Sequence, residues 1–181
     1  MKRVLLWPNP TLKLVSAPVD IQELNADPTA VKALVDLAKD MATTMGTYRG
    51  VGLAAVQIGI PVRVITTYTD GTPRVYVNPR VVRLEGGSRM VREGCLSIPG
   101  IFEQTRRSES VVLAFQPLLT DSVGAEETFT AHGLLAQVLA HECEHLDGKI
   151  AMVDDAPSAT RQLIRGDLSK RRRGGLLRDY V

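Results

Sequence analysis

Two histidines four residues apart bracket a glutamate in the stretch AHECEHLDG at residues 140–148. On an α-helix, positions i and i+4 lie on one face, so His141 and His145 could bind the same ion. Glu142 lies about 100° around the helix, where its carboxylate could face a water molecule beside that ion. The pattern H-E-x-x-H is typical of a divalent metal that activates water, with the glutamate as general base. The alternative is two histidines on an exposed helical turn, which the apolar face beside them disfavours.

A catalytic metal of this kind needs a third protein ligand and an open position. No histidine or cysteine follows His145, and the acids that follow it have no compelling spacing: Asp147, Asp154 and Asp155. Upstream, Cys95 lies in REGCLSIPG, whose glycines and proline predict an irregular segment or a strand edge from which a thiolate could turn toward the helix. A lone cysteine is more often a small buried hydrophobe. Cys143 lies two residues after the first histidine and points away from the histidine face, so it is the weaker candidate.

The segment RGVGLAAVQIGIP at residues 49–61 is the third stretch with chemical potential. Its glycines superficially resemble a phosphate loop, but no Lys-Ser/Thr pair follows, which argues against a nucleotide site. Glycines also permit a ligand to approach the backbone closely, and the amide of Gln57 could stabilise developing negative charge. The alternative is a tight turn before a core segment of small residues.

Local patterns indicate the elements that must position these groups. Residues 25–46 predict a helix, with Asp27 as its N-cap and Pro28 in its first turn. Its apolar face comprises Val31, Leu34, Ala38, Met41 and Met45. A second helix is predicted from Gly133 to about Leu146, so the histidine motif lies on a helix.

The middle of the chain favours strands. Three runs rich in β-branched or aromatic residues span 62–68, 75–84 and 111–115, and TDGT at 69–72 predicts a hairpin turn. The order of helix, strands and helix predicts a single α+β domain with mixed or antiparallel sheets around the central helix that carries the H-E-x-x-H motif.

Composition limits the function classes. A chain of 181 residues with 44% hydrophobic residues can form one domain with a true core. It contains no apolar run of the about 20 residues that a membrane span needs, which predicts no membrane partner. The start, MKRVLLWPNPTLK, lacks a cleavage site for a secretory signal, so we expect a cytoplasmic protein.

Three of these stretches together resemble the peptide deformylases. GVGLAAVQ at 50–57, EGCLS at 93–97 and HECEH at 141–145 match the three motifs of that family in order and roughly in spacing. The likeness extends to PNPTLKLVSAPV near the start, to YVNPRV and to GLLAQVLAHE, and so covers most of residues 1–150. We therefore expect a catalytic domain at 1–155 and a basic C-terminal extension at 156–181.

The resemblance implies a metal-dependent hydrolase that removes the formyl group from the formyl-methionine of newly made polypeptides and releases formate. The implied metal ligands are Cys95, His141 and His145. The implied ion is iron(II), although zinc or nickel could occupy the same site. Glu142 would move protons, while the Gln57 amide and the backbone N–H of Leu96 would stabilise the oxyanion.

The resemblance also implies how the substrate binds. The peptide would lie extended along Gly50 to Gly52 and the strand near Ile98 to Gly100, pairing backbone to backbone as an added strand. The methionine side chain would enter an apolar pocket formed by Val51, Leu134 and Val138.

Three positions depart from the family pattern: Glu144, where aspartate is common, Arg106, where proline is common, and His132. None removes an implied ligand or the base. Because Glu144 lies three residues after His141, it could orient the histidines from behind, in partnership with Arg107.

Two other functions remain open at this point: a metal-dependent amidase or peptidase that acts on another acyl group, and a non-enzymatic domain that binds the ribosome or RNA. Residues 161–181 contain seven Lys or Arg against two Asp, within a chain of net charge +2. Because deformylases must meet nascent chains as these leave the ribosome, the resemblance implies that this basic segment contacts ribosomal RNA; the alternative is a solvated helical face or a disordered end. Because every implied catalytic group precedes residue 147, we expect deletion of 166–181 to spare hydrolysis of a short peptide.

Overall fold

The computed structural model describes residues 1–177 and 180. Its helices are α1 (Ile21–Ala26), α2 (Pro28–Thr47), α3 (Gly133–Leu146), α4 (Ala151–Asp154) and α5 (Ser158–Arg173), with 3-10 turns at Pro10–Lys13 and Ala55–Ile58. Its strands are β1 (Gly52–Ala54), β2 (Val64–Thr67), β3 (Arg74–Cys95), β4 (Ile98–Pro117) and β5 (Glu127–His132). Within the described residues, no helix is both long and apolar enough to cross a membrane.

The five strands form one sheet in the order of the sequence, β1-β2-β3-β4-β5, and each neighbouring pair is antiparallel. This confirms the α+β prediction and the hairpin turn at 69–72. Strands β3 and β4 are much longer than the predicted runs. Residues 80–92 in the middle of β3 are exposed or half-buried throughout, so the sequence there has no apolar alternation to reveal the strand.

Helix α2 forms as its sequence predicts. The Asp27 carboxylate accepts a hydrogen bond of 2.8 Å from the Thr29 N–H, and Pro28 occupies the first turn. All five residues of the predicted apolar face are buried. The helix ends at Thr47, one residue beyond the predicted end.

The inner part of the sheet lies between two helical layers. On β2, Val64 packs into a cluster with Leu34, Met41 and Met45 of α2, whereas its neighbour Ile65 packs with residues of α3. This alternation follows from the two-residue period of a strand. Helix α3 is therefore buried against the sheet, and it carries the histidine motif into the interior.

Helix α5 packs on the body of the protein. Ile164 and Leu168 are buried in a cluster that also contains Trp7, Cys95 and Ile98. Glycine at position 166 lowers helix propensity, yet the helix continues through it because this packing outweighs the local cost. The extension therefore contributes side chains to the core in addition to exposed charge.

Candidate functional site

Cys95, His141 and His145 meet in the interior. Their ligand atoms all lie within 4.8 Å of one another, and the three side chains are buried. The Cys95 Sγ is 3.2 Å from the His145 Nε2. Burial lowers the pKa of His145 well below its ordinary value, which keeps a lone pair on the ring available.

The end of β3 positions the cysteine. A two-residue turn at Leu96 and Ser97 connects β3 to β4, with Cys95 paired to Ile98. Ser97 is held in turn by the N-terminal segment, because the Trp7 N–H donates to its carbonyl over 3.0 Å. The thiol is therefore fixed by a hairpin end, the strand-edge setting that the sequence predicted.

Glu93 is a site residue to which sequence reasoning gave no role. It lies two residues before Cys95 on β3, so both side chains point to the same face. Its carboxylate is 3.3 Å from the Nδ1 of His141, which orients that ring. Burial alone would raise the pKa of Glu93, but hydrogen bonds from His141 and Arg107 outweigh it and hold the pKa at about 2. The alternation of a strand through the EGCLS motif was the available signal.

Arg107 connects Glu93 to Glu144. Its guanidinium donates to Glu93 over 2.7 and 2.9 Å and to Glu144 over 2.6 and 2.9 Å. The predicted contact between Glu144 and Arg107 is thereby confirmed. The extra methylene of glutamate still permits a bidentate ion pair, so this network supports the ring of His141 from behind.

Glu142 lies beside the three ligand atoms and is 4% exposed. Burial raises the pKa of its carboxyl to about 7. Its Oε2 has no hydrogen-bond partner among the described residues. A Cβ at Gly52 would overlap this carboxylate and the Val138 side chain, so the glycine is needed for close approach of β1 to α3. The arrangement leaves a buried carboxylate oxygen available to a small molecule.

Gln57 has a fixed orientation. Its Oε1 accepts a hydrogen bond of 2.8 Å from the Ala54 N–H, so its Nε2 faces Cys95 Sγ at 3.5 Å and Ser97 Oγ at 3.2 Å. The Leu5 N–H donates to the Gln57 carbonyl over 2.8 Å, which also fixes the backbone. The amide donor therefore points toward the ligand cluster, as an oxyanion donor requires.

An open cleft of about 370 Å³ leads to this cluster. Its walls include the residues predicted to bind substrate, Gly50, Val51, Gly52, Leu134 and Val138, together with Leu96, Cys95, His141 and Glu142. Ile101 and Phe102 of β4 add apolar surface. The structure thus brings the predicted substrate positions to one cavity.

The other singled-out residues lie outside the cluster. Cys143 is buried in the apolar layer between α3 and the sheet, where burial raises the pKa of its thiol to about 12. Arg106 of β4 donates a hydrogen bond of 3.2 Å to the Ser88 hydroxyl of β3. His132 directly precedes α3, and its Nδ1 lies 2.7 Å from the Ser110 hydroxyl of β4.

The residues present fit a divalent transition metal. Two imidazoles and one thiol form a borderline-to-soft ligand set that suits iron, nickel or zinc. Hydrogen bonds to Cys95 and Glu93 raise the pKa of His141 well above its ordinary value although burial opposes the charged form. The cluster therefore favours positive charge at its centre.

Comparison with known proteins agrees with this geometry. The family model for polypeptide deformylases matches residues 1–162. The peptide deformylase of Xylella fastidiosa strain M12 is 36% identical over 173 residues, which cover 94% of this chain and 95% of that protein. The peptide deformylase of Rhizobium meliloti strain 1021 is 35% identical over 169 residues, with coverages of 91% and 90%.

Solved structures give the same result. A peptide deformylase from Legionella pneumophila superposes with a TM-score of 0.83 at 32% identity, covering 97% of this chain and 98% of its own. The enzyme from Ehrlichia chaffeensis in complex with actinonin gives a TM-score of 0.82 at 27% identity, with coverages of 96% and 98%. Since the family model and relatives above 30% identity span most of its length, this chain belongs to the peptide deformylase family of hydrolases, which remove the N-formyl group from nascent polypeptides.

Proposed function

We propose that this chain hydrolyses the formyl group of N-terminal formyl-methionine with one divalent ion held by Cys95, His141 and His145. The observation that carries the proposal is the meeting of these three buried ligand atoms at an open cleft. A carboxylate with an unpartnered oxygen, that of Glu142, lies beside them. Formate and a free amine are the products, and the cytoplasm, where polypeptides are made, is the proposed location.

Iron(II) is the proposed ion, and zinc or nickel would suit the same ligands. When bound, the ion would lower the pKa of a water molecule and polarise the formyl carbonyl. Glu93 supports this role because it holds the His141 Nδ1 and so directs the Nε2 of that ring toward the cluster.

Glu142 is the proposed proton carrier. A carboxyl with a pKa near 7 is matched to accept a proton from water and return it to the leaving amine at neutral pH. Its carboxylate lies against Gly52 of β1, because a Cβ added at that glycine would overlap it.

Gln57 and the backbone N–H of Leu96 are the proposed donors to the formyl oxygen. The Gln57 amide is held toward Cys95 before substrate arrives, so it costs no reorganisation during the reaction. Leu96 directly follows Cys95 in the turn between β3 and β4, so its amide lies next to the cluster.

The cleft supports the proposed binding of an extended peptide. Gly50 and Gly52 line the cleft without side chains of their own, so a peptide backbone can approach their main chain and pair there. Val51, Leu134 and Val138 provide apolar surface for the methionine side chain. Backbone pairing makes binding independent of most side chains, as nascent polypeptides of many sequences require.

Metal analysis of anaerobically purified protein, together with formate release from formyl-Met-Ala-Ser, tests the proposal. We expect about one ion per chain and turnover of the formyl peptide, with acetyl-Met-Ala-Ser hydrolysed far more slowly. The Glu142→Ala variant should keep its ion and lose about 10²-fold or more in kcat. Preference for the acetyl peptide would assign the site to another acyl group, and full activity in Glu142→Ala would refute the mechanism.

We further propose that residues 1–155 carry all catalytic groups and that 156–181 form a basic extension that contacts the ribosome. Arg172 and Arg173 support this because they are exposed at the end of α5, where they could neutralise phosphates. Deletion of 166–181 is a poor test, because it would also remove Leu168 and Leu177 from the core. The deletion would therefore not separate ribosome contact from support of the fold, and the expectation that it would spare hydrolysis stays a prediction. Of the extension, positions 178, 179 and 181 lie outside the described residues.

Charge reversal in the full chain tests the ribosome contact. Arg172→Glu with Arg173→Glu should abolish co-sedimentation with ribosomes at low salt while peptide hydrolysis continues. The matched control is Lys32→Glu with Lys39→Glu, because these lysines are exposed on α2. Equal effects of the two pairs would refute a contact specific to α5.

A further inference from the structure

Among the described residues that line the cleft, the charged side chains that face solvent are two arginines. The described charged residues of the lining are Arg49, Arg92, Glu93 and Glu142. The two glutamates are only 4% exposed. Glu93 is held by Arg107 and His141, and Glu142 lies beside the ligand cluster. The rim of the cleft that a substrate would meet is therefore positive.

Arg49 is placed at the rim by the backbone. It directly precedes Gly50, has a left-handed φ of 54°, and donates its N–H to the Gly46 carbonyl over 3.0 Å. Its side chain is exposed and makes no ion pair with any described residue. A fixed backbone therefore presents, at the head of the Gly50 to Gly52 segment, a guanidinium that no described carboxylate neutralises.

Arg92 also lines the cleft. Its guanidinium lies 4.6 Å from the centre of the Phe102 ring, and Phe102 lines the cleft as well. Stacking on an aromatic ring holds the guanidinium plane but does not cancel its charge, and its N–H groups stay available at the edge. Within the described part of the chain, no carboxylate pairs with Arg92.

We propose that Arg49 and Arg92 make the enzyme selective for formyl peptides that carry aspartate or glutamate in the first residues after methionine. This inference rests on the proposed function of the same site. An extended peptide bound along Gly50 to Gly52 leaves the cleft past both guanidiniums, which attract a carboxylate and repel a lysine.

The size and kinetic form of the effect follow from its location. Each exposed ion pair has a modest effect, so attraction of an acid and repulsion of a base together favour formyl-Met-Glu-Ser over formyl-Met-Lys-Ser by about tenfold in kcat/KM at low salt. The rim does not touch the formyl group, so ground state and transition state benefit equally and the difference appears in KM. Salt screens exposed charges, so the ratio of kcat/KM for formyl-Met-Glu-Ser to that for formyl-Met-Lys-Ser falls toward one at high salt.

The test compares metal-loaded protein on formyl-Met-Ala-Ser, formyl-Met-Glu-Ser and formyl-Met-Lys-Ser at low and high salt. The Arg49→Glu, Arg92→Glu double variant should reverse the preference between the charged peptides. The milder variant Arg92→Gln should reduce it, which keeps the test decisive if the double variant folds poorly. Arg89→Glu is the matched control, because Arg89 is exposed on β3 but does not line the cleft.

Three outcomes would overturn the inference. The first is equal kcat/KM of the unaltered protein for formyl-Met-Glu-Ser and formyl-Met-Lys-Ser at low salt, which would show no selectivity. The second is a difference between these peptides in kcat alone, which would place its cause at the reacting group. The third is a change in peptide preference in Arg89→Glu as large as in the cleft variants. It would show that the net charge of the protein, and not the two arginines of the cleft, sets the preference. Failure to hydrolyse even formyl-Met-Ala-Ser would refute the proposed function as well, so the two failures are distinguishable.

Discussion

Substitution of Gly52 by alanine is a sharp test of the catalytic geometry. A Cβ built at this position lies 2.7 Å from the Val138 Cγ1 and 2.9 Å from the Glu142 Cδ, and closer still to a carboxylate oxygen. Ordinary carbon contacts are about 3.5–4.0 Å, so the Glu142 side chain must move by about 1 Å. A displacement of that size in a catalytic group costs about 10²-fold in rate. Overpacking should also lower the free energy of unfolding by about 1–3 kcal/mol.

The assay measures kcat on formyl-Met-Ala-Ser, metal content and thermal unfolding of the same Gly52→Ala preparation. We expect the ion to be retained, because the atoms nearest to the new methyl group belong to Glu142 and Val138 and not to the three proposed ligands, while kcat falls about 10²-fold. Gly46→Ala is the control: no atom lies within 4 Å of its added Cβ, and alanine in α2 should stabilise by up to about 1 kcal/mol with unchanged kcat. Unchanged kcat in a folded Gly52→Ala protein would show that the position of Glu142 does not set the rate.

Four further predictions concern the ligands, the oxyanion donor, the supporting network and the core. Cys95→Ala should lose nearly all bound metal, whereas Cys143→Ala should keep it; the reverse result in metal analysis would overturn the ligand assignment. Gln57→Ala should retain metal but lose about 10²-fold in kcat, and a wild-type rate would exclude the amide as an oxyanion donor. Glu144→Asp should keep the ion and change kcat modestly, and loss of metal would show the network to be integral to the site. Leu168→Ala should lower the free energy of unfolding by about 2–5 kcal/mol in denaturant titration, and a negligible change would contradict the packing of α5.

The sequence was most informative where structure is local. Helix α2 follows from a capping aspartate, a proline in the first turn and an apolar face of helical period, all within twenty residues. The length of β3 was underestimated, because residues 80–92 are not buried on either face and so carry no apolar alternation. Helix α5 was underestimated for a different reason, since its glycine and basic residues conceal two buried side chains, Ile164 and Leu168.

In the candidate site, too, the sequence predicted local relations between residues but not the contacts between distant segments. The sequence by itself determined that His141 and His145 share a helical face with Glu142 nearby, because the helical repeat fixes positions four residues apart wherever the helix lies. Only the tertiary structure decided that the Cys95 Sγ lies 3.2 Å from the Nε2 of His145, 50 residues further along the chain. It also decided which way Gln57 points and that Arg107 links two glutamates behind the site. These contacts depend on strand register, hairpin ends and packing between layers, which no short stretch of sequence specifies.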